Sequence, residues 1–275
     1  RISVRSIRRR PGFALGVALT LGLGIGATTT IYSVVDGVLL RALPFASPEQ
    51  LVAVGTTFQG QEWEEGAQSL QHLAGTSVAN YVAIEARARS FQMLAAVEYS
   101  SVLLPDQGDG PELADAARVS PGFFEALRVG PVLGRMFLPE EHREGSEQVF
   151  MLTYGAWQRR YGGDPDVVGR SLDRVGLPAT IVGVLPRDFA PPEAFFSSVP
   201  DFWLPLQPDH ARYADRGRRS INMFGRLSVG TTVEQAREEA TFIAAELARE
   251  FPDGNVDADG THLGIGVNGL REQTI

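Results

Sequence analysis

The chain has 275 residues and a hydrophobic fraction of 44%, enough for one large domain or two small ones around a sizeable core. Its net charge of −8 is uneven, because five arginines stand in residues 1–10 and the remainder carries 20 basic and 33 acidic side chains. An acidic body repels phosphate backbones, which excludes nucleic acid as a partner. The absence of cysteine excludes disulfides, thiolate catalysis and cysteine metal sites.

The first predicted element is a membrane-spanning helix within residues 13–40. Residues 13–32 contain no charged side chain, and a helix of about 20 residues spans the hydrocarbon core, so membrane lipid is an expected partner. The main alternative is a cleavable signal peptide, but the apolar run is longer than a signal-peptide core and no clear small-x-small site follows it. A buried helix of a soluble protein would show a polar stripe, and this run offers only threonines.

The orientation of this helix follows from the arginines that precede it. Arg8, Arg9 and Arg10 stand directly before the apolar run, whereas acids soon outnumber bases after it. The positive-inside rule therefore predicts a cytoplasmic Arg-rich segment over residues 1–12 and an extracytoplasmic domain over residues 41–275.

Glycines within the predicted span have two competing interpretations. Gly22, Gly24, Gly26 and Ala27 match the dinucleotide fingerprint G-x-G-x-x-A, but no strand precedes them and Asp36 comes too early for the ribose-binding acid. Gly22 and Gly26 also form G-x-x-x-G, which lets a second membrane helix approach closely. The sequence favours helix packing over cofactor binding, with ordinary glycine filler as the remaining alternative.

Alternating strands and amphipathic helices are predicted beyond the span. Residues 51–54 read as a strand and residues 78–90 as a helix. Ser120 and Pro121 form a typical helix start, with serine as the cap and proline in the first helical position.

A helix and an inserted lobe are predicted in the middle of the chain. Thr153 is predicted to cap a helix over residues 154–161, which ends at Gly162. Glycine and proline are frequent between about 130 and 220. We expect this stretch to form an inserted lobe.

The clearest predicted unit lies near the end of the chain. Residues 223–229 read as a strand, Gly230 turns the chain, and Thr231 with Glu234 forms a capping box before a helix with one apolar face. Residues 262–267 supply a further strand and complete a β-α-β unit. This mixture of strands and helices predicts an α+β fold.

A search for catalytic constellations gives no candidate. The four histidines are His72, His142, His210 and His262. They lie in no zinc-binding spacing, and neither a nucleophile elbow nor a Walker A loop is present. The sequence therefore predicts no catalytic residue, no bound cofactor and no metal site.

One segment resembles the first half of a calcium-binding loop. Asn255, Asp257, Asp259 and Gly260 follow the EF-hand pattern, but position twelve, which requires a bidentate glutamate, is Gly266. A solvated turn is the better interpretation.

Several segments, taken in order, are similar to known transporter subunits. They are RSIRRRPGFALGVALTLGLGIGATTTIYSVVDGVLLRALPF, VSPGFFEALRVGPVLGRMF, LTYGAWQRRYGGDPDVVGRSL, TIVGVLPRDF, DFWLPL and GRLSVGTTVEQAREEATFIAAELAREFP. Their order and spacing resemble those of MacB/FtsX-like ABC transporter permeases, particularly the duplicated orphan permeases of acidobacterial type. The resemblance covers most of the chain.

This resemblance implies a first transmembrane helix followed by a MacB-like periplasmic core domain, with a porter-like α/β part and an inserted, mostly β lobe. It also implies that LREQTI leads into a second membrane helix. The expected setting is the bacterial inner membrane, with the N-terminus cytoplasmic and the bulk of the chain periplasmic.

The implied function is that of a permease subunit. Such a subunit relays ATPase-driven motion of membrane helices to the periplasmic domain, a mechanotransmission that serves export or efflux. ATP hydrolysis would belong to a separate cytoplasmic ABC-type ATPase subunit, and a second copy of the chain or a second permease half is the other expected partner. The alternative function is a membrane-anchored extracytoplasmic binding or sensing module.

Overall fold

The computed structural model describes most of the chain from residue 47 onward and a short helical stretch near its start. The described residues are 12, 20–26, 28, 47–58, 73–105, 110–174, 177–192, 195–196, 198–257 and 259–270. The chain divides into two compact units, one formed by Arg1–Leu43 with Thr274–Ile275 and the other by Pro44–Gln273. All strands and helices named below belong to the second unit.

The described part of the second unit contains ten strands and four α-helices. The strands are β1 (Leu51–Thr57), β2 (Phe91–Leu104), β3 (Glu112–Val119), β4 (Leu133–Gly134), β5 (Val149–Leu152), β6 (Ser171–Arg174), β7 (Leu177–Val184), β8 (Phe202–Pro205), β9 (Ile221–Leu227) and β10 (Gly264–Gly269). The helices are α1 (Val78–Arg87), α2 (Phe123–Leu127), α3 (Tyr154–Tyr161) and α4 (Val233–Glu250). Short 3-10 turns lie at Pro48–Gln50, Pro139–His142, Pro165–Val167 and Ala211–Tyr213.

All ten strands form one mixed sheet. Its order is β10-β1-β9-β2-β3-β8-β5-β7, and β4 and β6 both pair with β7. The β3–β8 and β5–β7 pairs are parallel, and the other pairs are antiparallel. A mixed sheet with helices confirms the predicted mixture of strand and helix.

The first hydrophobic core lies between the sheet and helices α1 and α4. Alternate residues of β1 and β9 point into it, among them Val52, Val54 and Met223. From α4 it receives side chains that recur at helical spacing and form one buried stripe: Ala236, Ala240, Ile243 and Leu247. The apolar face predicted from the sequence is therefore the packed face.

The second hydrophobic core joins the far part of β2 to β3, β5, β7, β8 and α3. Its members include Val102 of β2 and Phe150 of β5. Leu94 and Ala96 of the same strand belong to the first core. Since Leu94, Ala96 and Val102 are separated by even numbers of residues along one strand, both cores lie on the same face of the sheet.

Helix α2 covers the opposite face with aromatic side chains. The ring centroid of Phe123 lies 5.5 Å from that of Trp203 on β8 and 5.2 Å from that of Phe224 on β9. Phe124 also contacts Trp203, with centroids 5.6 Å apart. The short helix thus connects strands from both halves of the sheet.

Two predicted helix boundaries are wrong. The helix predicted over residues 78–90 ends at Arg87, because the backbone N–H groups of Arg89 and Ser90 donate to the carboxylate of Glu239 at 2.7 and 2.8 Å. Ser120 does not cap α2. Its hydroxyl accepts the backbone N–H of Ala96 on β2 at 2.9 Å, which fixes the chain to the sheet just before the helix.

The predicted capping box of α4 is displaced by one residue. Thr232 Oγ1 accepts the backbone N–H of Gln235 at 3.2 Å, and Gln235 Oε1 accepts that of Thr232 at 2.9 Å. Thr231 is used in the preceding turn, where its N–H donates to the carbonyl of Ser228 and Gly230 adopts φ +85°. The box is therefore Thr232 with Gln235 and not Thr231 with Glu234.

The predicted β-α-β unit is present in split form. β9 and β10 both pair with β1 in antiparallel register, so they run parallel to each other with β1 between them. Their bounds lie two residues from the predicted ranges, β9 earlier and β10 later.

The helix predicted after Thr153 is confirmed, since the side chain of Thr153 accepts the N–H of Ala156 and the helix ends at Gly162 in the left-handed conformation.

Candidate functional site at the chain ends and the sheet junction

The strands through which the chain enters and leaves the second unit lie side by side. β1 pairs with β10 over six residue pairs, from Val52 opposite Gly269 to Thr57 opposite Gly264. Directly opposed residues of an antiparallel pair have Cα atoms about 4.5 to 5.5 Å apart. The segment before β1 and the segment after β10 therefore leave the sheet at the same end, next to each other.

A buried arginine ties this end of the sheet to helix α2. Arg226 of β9 is only 2% exposed. Its Nε donates to the carbonyl of Ala126 at 2.9 Å, and its Nη1 donates to the carbonyl of Ser47 at 3.1 Å and to Oε1 of Gln50 at 3.4 Å. One side chain thus connects the segment just before β1, strand β9 and the end of α2.

Arg226 forms these links without a carboxylate partner. Among the described residues no Asp or Glu lies within salt-bridge distance of it, and its Nη2 is buried without a hydrogen-bond partner. Burial, and next the positive charge of Arg128, lower the pKa of Arg226. Because a guanidinium stays protonated in proteins, the site holds a buried positive charge with both N–H groups of Nη2 unused.

An open groove of about 500 Å³ runs along α2. Its lining residues are Pro121, Phe124, Glu125, Arg128, Val129, Gly130, Met136 and Phe137. The lining holds one carboxylate and no histidine, so it offers no acid–base pair for catalysis.

A second cluster of charges lies on the face of the sheet that carries both cores. The carboxylate of Glu98, whose side chain is 5% exposed, accepts hydrogen bonds from Nη2 of Arg212 at 2.8 Å and from the hydroxyl of Tyr213 at 2.5 Å. Arg118 Nε and Arg218 Nη2 each lie 4.0 Å from it. Burial, followed by the hydrogen bond to Glu98, raises the pKa of Tyr213, which keeps its hydroxyl protonated as a donor.

This cluster marks the boundary between the two cores. Along β2, Glu98 stands between Ala96 of the first core and Val102 of the second, and it faces Arg118 across the β2–β3 ladder. The other three partners belong to residues 206–220, the loop that returns the chain from β8 to β9. The cluster therefore holds the returning loop against the strand common to both cores.

The site residues predicted from the sequence lie in the first unit. Arg8, Arg9 and Arg10 fall outside the described residues. Gly22 and Gly26 are described, helical and exposed, and a Cβ built at either position would meet no other described atom within 4 Å.

The predicted span over residues 13–40 is described only at position 20–26 and 28, all of them helical. Within the described ranges we find no helix whose length and hydropathy would suffice for a bilayer crossing. The remainder of the predicted span lies outside those ranges.

Histidines and acids form no metal-binding cluster in the part of the chain that the structure describes. His142 is buried, its Nδ1 lies 2.9 Å from the carbonyl of Leu206, and burial lowers its pKa. His210 is partly exposed, 3.8 Å from Glu144. His72 falls outside the described residues.

The EF-hand-like segment is a turn, as its missing glutamate predicts. Asp257 Oδ1 accepts the backbone N–H groups of Asp259 and Thr261, both at 2.9 Å. Asn255 is buried and donates to the carbonyls of Leu247 and Phe251. Asp257 and Asn255 therefore form hydrogen bonds with backbone groups at and after the end of α4.

Sequence reasoning missed Glu98, Arg118 and Arg226. A signal was available for Glu98, which directly follows the apolar run 94–97. Arg226 stands between apolar residues within a predicted strand. A charge inside a buried strand requires a partner, and that requirement alone marks both positions.

The chain was compared with known families and proteins. Residues 14–242 match a family described as MacB-like periplasmic core domain. None of the curated protein sequences compared with the chain matches it.

Solved structures with a similar fold include the following three. A domain assigned to a permease protein of Porphyromonas gingivalis is 17% identical, with a TM-score of 0.56 and coverage of 82% of this chain and 92% of that one. The periplasmic region of MacB from Actinobacillus actinomycetemcomitans is 13% identical, with a TM-score of 0.52 and coverage of 80% and 89%. The extracellular domain of the noncanonic ABC-type transporter YknZ from Gram-positive bacteria is 11% identical, with a TM-score of 0.51 and coverage of 79% and 98%. At these identities the likeness shows the fold.

Proposed function

Because the chain belongs to the MacB-like periplasmic core domain family, we propose that it is part of an ABC transporter permease subunit that relays ATPase-driven motion of membrane helices to a periplasmic domain. The transport it serves is export or efflux. The observation that carries the proposal is the pairing of β1 with β10, which places the start of β1 beside the end of β10 at one end of the sheet. Two membrane segments connected there would act on neighbouring strands.

The sheet provides a stiff path for such motion. β1 is hydrogen-bonded to β10 on one side and to β9 on the other, and β9 is paired in turn with β2. β2 reaches across both cores and pairs with β3, which leads to the second half. A displacement applied to β1 and β10 is thus passed along a continuous ladder of hydrogen bonds.

The finer placement of the segments is part of the proposal. Residues 13–40 span the bacterial inner membrane, Arg8, Arg9 and Arg10 face the cytoplasm, and residues 41–275 form the periplasmic core domain. Residues of about 130–220 act as its inserted lobe. The second core, which contains the side chains of β5, β7 and β8, supports a lobe in this part of the chain.

Gly22 and Gly26 are proposed to pack against another membrane helix, either in a second copy of the chain or in a second permease half. Their spacing on one helix face supports this role. Gly26→Leu should abolish assembly of the complex while insertion stays intact. Gly24→Leu, on a different face of the same helix, should leave assembly unchanged.

The decisive experiment concerns the partner of the arginines. A photo-cross-linking amino acid is placed at Arg9 in the full-length protein in native membranes, and at exposed Arg143 as the control. We expect Arg9 to capture a nucleotide-binding ABC subunit and Arg143 to capture none, with ATP hydrolysis belonging to the captured subunit. Membranes that retain their complexes but yield no such subunit at Arg9 would contradict the proposal and favour an anchored binding module.

A further inference from the structure

The charges around Glu98 do not balance. Three guanidinium groups, those of Arg118, Arg212 and Arg218, lie within 4.0 Å of this single carboxylate. The cluster therefore carries two surplus positive charges. Glu98 is 5% exposed, and an uncompensated charge close to such a buried group is costly.

Two of the three arginines are not committed to Glu98 by hydrogen bonds. Only Arg212 reaches hydrogen-bond distance, at 2.8 Å, whereas Arg118 and Arg218 stand 4.0 Å away. At that separation the groups attract but share no hydrogen bond. Their donors are available to another acceptor.

A buried donor at the cluster has no acceptor. Nε of Arg118, which lies 4.0 Å from the carboxylate of Glu98, is buried and has no hydrogen-bond partner among the described residues. Because buried polar atoms in native proteins are nearly always hydrogen-bonded, this unpaired donor points to a missing acceptor.

The acids of the surrounding loop do not supply this acceptor. Asp209 Oδ1 accepts the backbone N–H of Glu144 at 2.8 Å, and Asp215 Oδ1 accepts that of Gly217 at 2.8 Å. Asp209 therefore joins the loop to the segment at Glu144, and Asp215 shapes a turn within the loop.

We propose that the cluster of Arg118, Arg212 and Arg218 binds a small oxyanion, a phosphate or carboxylate group, in addition to Glu98. The planar fork of a guanidinium matches the oxygen spacing of such groups. The arginine side chains are 22%, 35% and 48% exposed, so each of them reaches solvent. The site lies where the returning loop meets β2, and its existence does not depend on an ATPase partner.

Binding is tested on the full chain in detergent by calorimetric titration with inorganic phosphate. Ionic strength is held constant with sodium chloride, so that general screening does not change. We expect saturable binding that Arg218→Gln weakens about tenfold, the loss of one charge-assisted contact. Arg143→Gln, which removes an exposed arginine outside the cluster, should leave the affinity unchanged. A parallel titration with acetate distinguishes phosphate from carboxylate recognition.

Glu98→Gln provides an independent readout, because it removes the competing carboxylate and should tighten phosphate binding if the variant folds. Arg218 is partly exposed and makes no hydrogen bond to Glu98. The binding test with Arg218→Gln can therefore be carried out even if Glu98→Gln unfolds. Absence of saturable binding of phosphate or acetate, or an equal loss in Arg218→Gln and Arg143→Gln, would overturn the proposal.

Discussion

Gly134 allows β4 to approach β7 more closely than any side chain would permit. It adopts φ +75°, and a Cβ at this position would lie 2.2 Å from the carbonyl oxygen of Val182 and 2.9 Å from Cα of Gly183. Gly183 is its register partner in the β4–β7 pair. A Cβ at Gly183 would likewise lie 2.5 Å from the carbonyl oxygen of Arg135, so glycine is required on both strands.

Gly134→Ala should therefore lower the free energy of unfolding by about 3 kcal/mol, from left-handed backbone strain and the contact with a fixed carbonyl. Urea unfolding of the full chain measures the change. Gly130→Ala is the matched control, since its Cβ would meet no described atom within 4 Å, and it should stay within about 0.5 kcal/mol of the wild type. Equal effects of the two changes would show that close approach is not the cause.

His142 makes the stability of the fold dependent on pH. Burial lowers its pKa below the ordinary value of 6.5, so the unfolded chain binds a proton at a pH at which the folded chain does not. Stability conferred by the neutral ring is present above pH 6.5 and is lost as the pH falls toward the lowered value.

We expect His142→Asn to flatten this dependence. The asparagine amide can replace the Nδ1 hydrogen bond to Leu206 and does not titrate. As the pH falls from 6.5 toward the lowered pKa of His142, the wild type should lose up to about 1.4 kcal/mol per pH unit relative to this variant. Chemical unfolding at a series of pH values provides the slopes. A wild-type slope in His142→Asn would contradict the assignment.

At the level of elements, α4 is the longest helix of the described chain and the main cover of the first core. The capping box at its N-terminus could be predicted from the sequence only to within one residue. Thr231 with Glu234 and Thr232 with Gln235 both satisfy the capping-box pattern, so the pattern alone cannot choose between them. The choice is made by the turn at Gly230, whose geometry is set by the strand before it.

Thr232→Ala should destabilise the protein by about 1 kcal/mol through loss of the cap, whereas Thr231→Ala should have less than half that effect. The midpoint of urea unfolding at unchanged slope is the appropriate measurement. A larger effect at Thr231 would restore the capping box expected from the sequence.

The strand and helix pattern of the fold could largely be predicted, but the charged site could not. Period-two alternation and the apolar stripe of α4 depend on local spacing, which the sequence displays directly. Glu98 meets Arg212 and Tyr213 only because the loop over residues 206–220 returns across the sheet. Contacts between residues more than a hundred positions apart depend on topology, and no local pattern reports them.

At the scale of the whole molecule, one sheet passes beneath both cores. β2 contributes Leu94 to the first core and Val102 to the second. A substitution that destabilises either core therefore also destabilises the strand that both cores share. We therefore expect the two halves to unfold in one cooperative transition.

Ile243→Ala tests this cooperativity, because it removes a buried side chain of the first core and should cost about 2 to 5 kcal/mol. Trp157 and Trp203 report on the second half, and Trp63, which falls outside the described residues, is replaced by Phe in all variants. Fluorescence and far-ultraviolet circular dichroism should shift together to the same lower temperature. A fluorescence transition that stays at the wild-type temperature would show two independent domains.

The closeness of Val52 to Gly269 also makes the domain a candidate for circular permutation. When two ends of a chain already face each other across one ladder, a short connecting turn closes them at little cost in chain entropy. New termini could be opened at Gly145, an exposed position with φ +82° where an added Cβ would meet no described atom. Such a permutant would keep every strand pairing of the sheet while freeing the domain from whatever flanks residues 52 and 269.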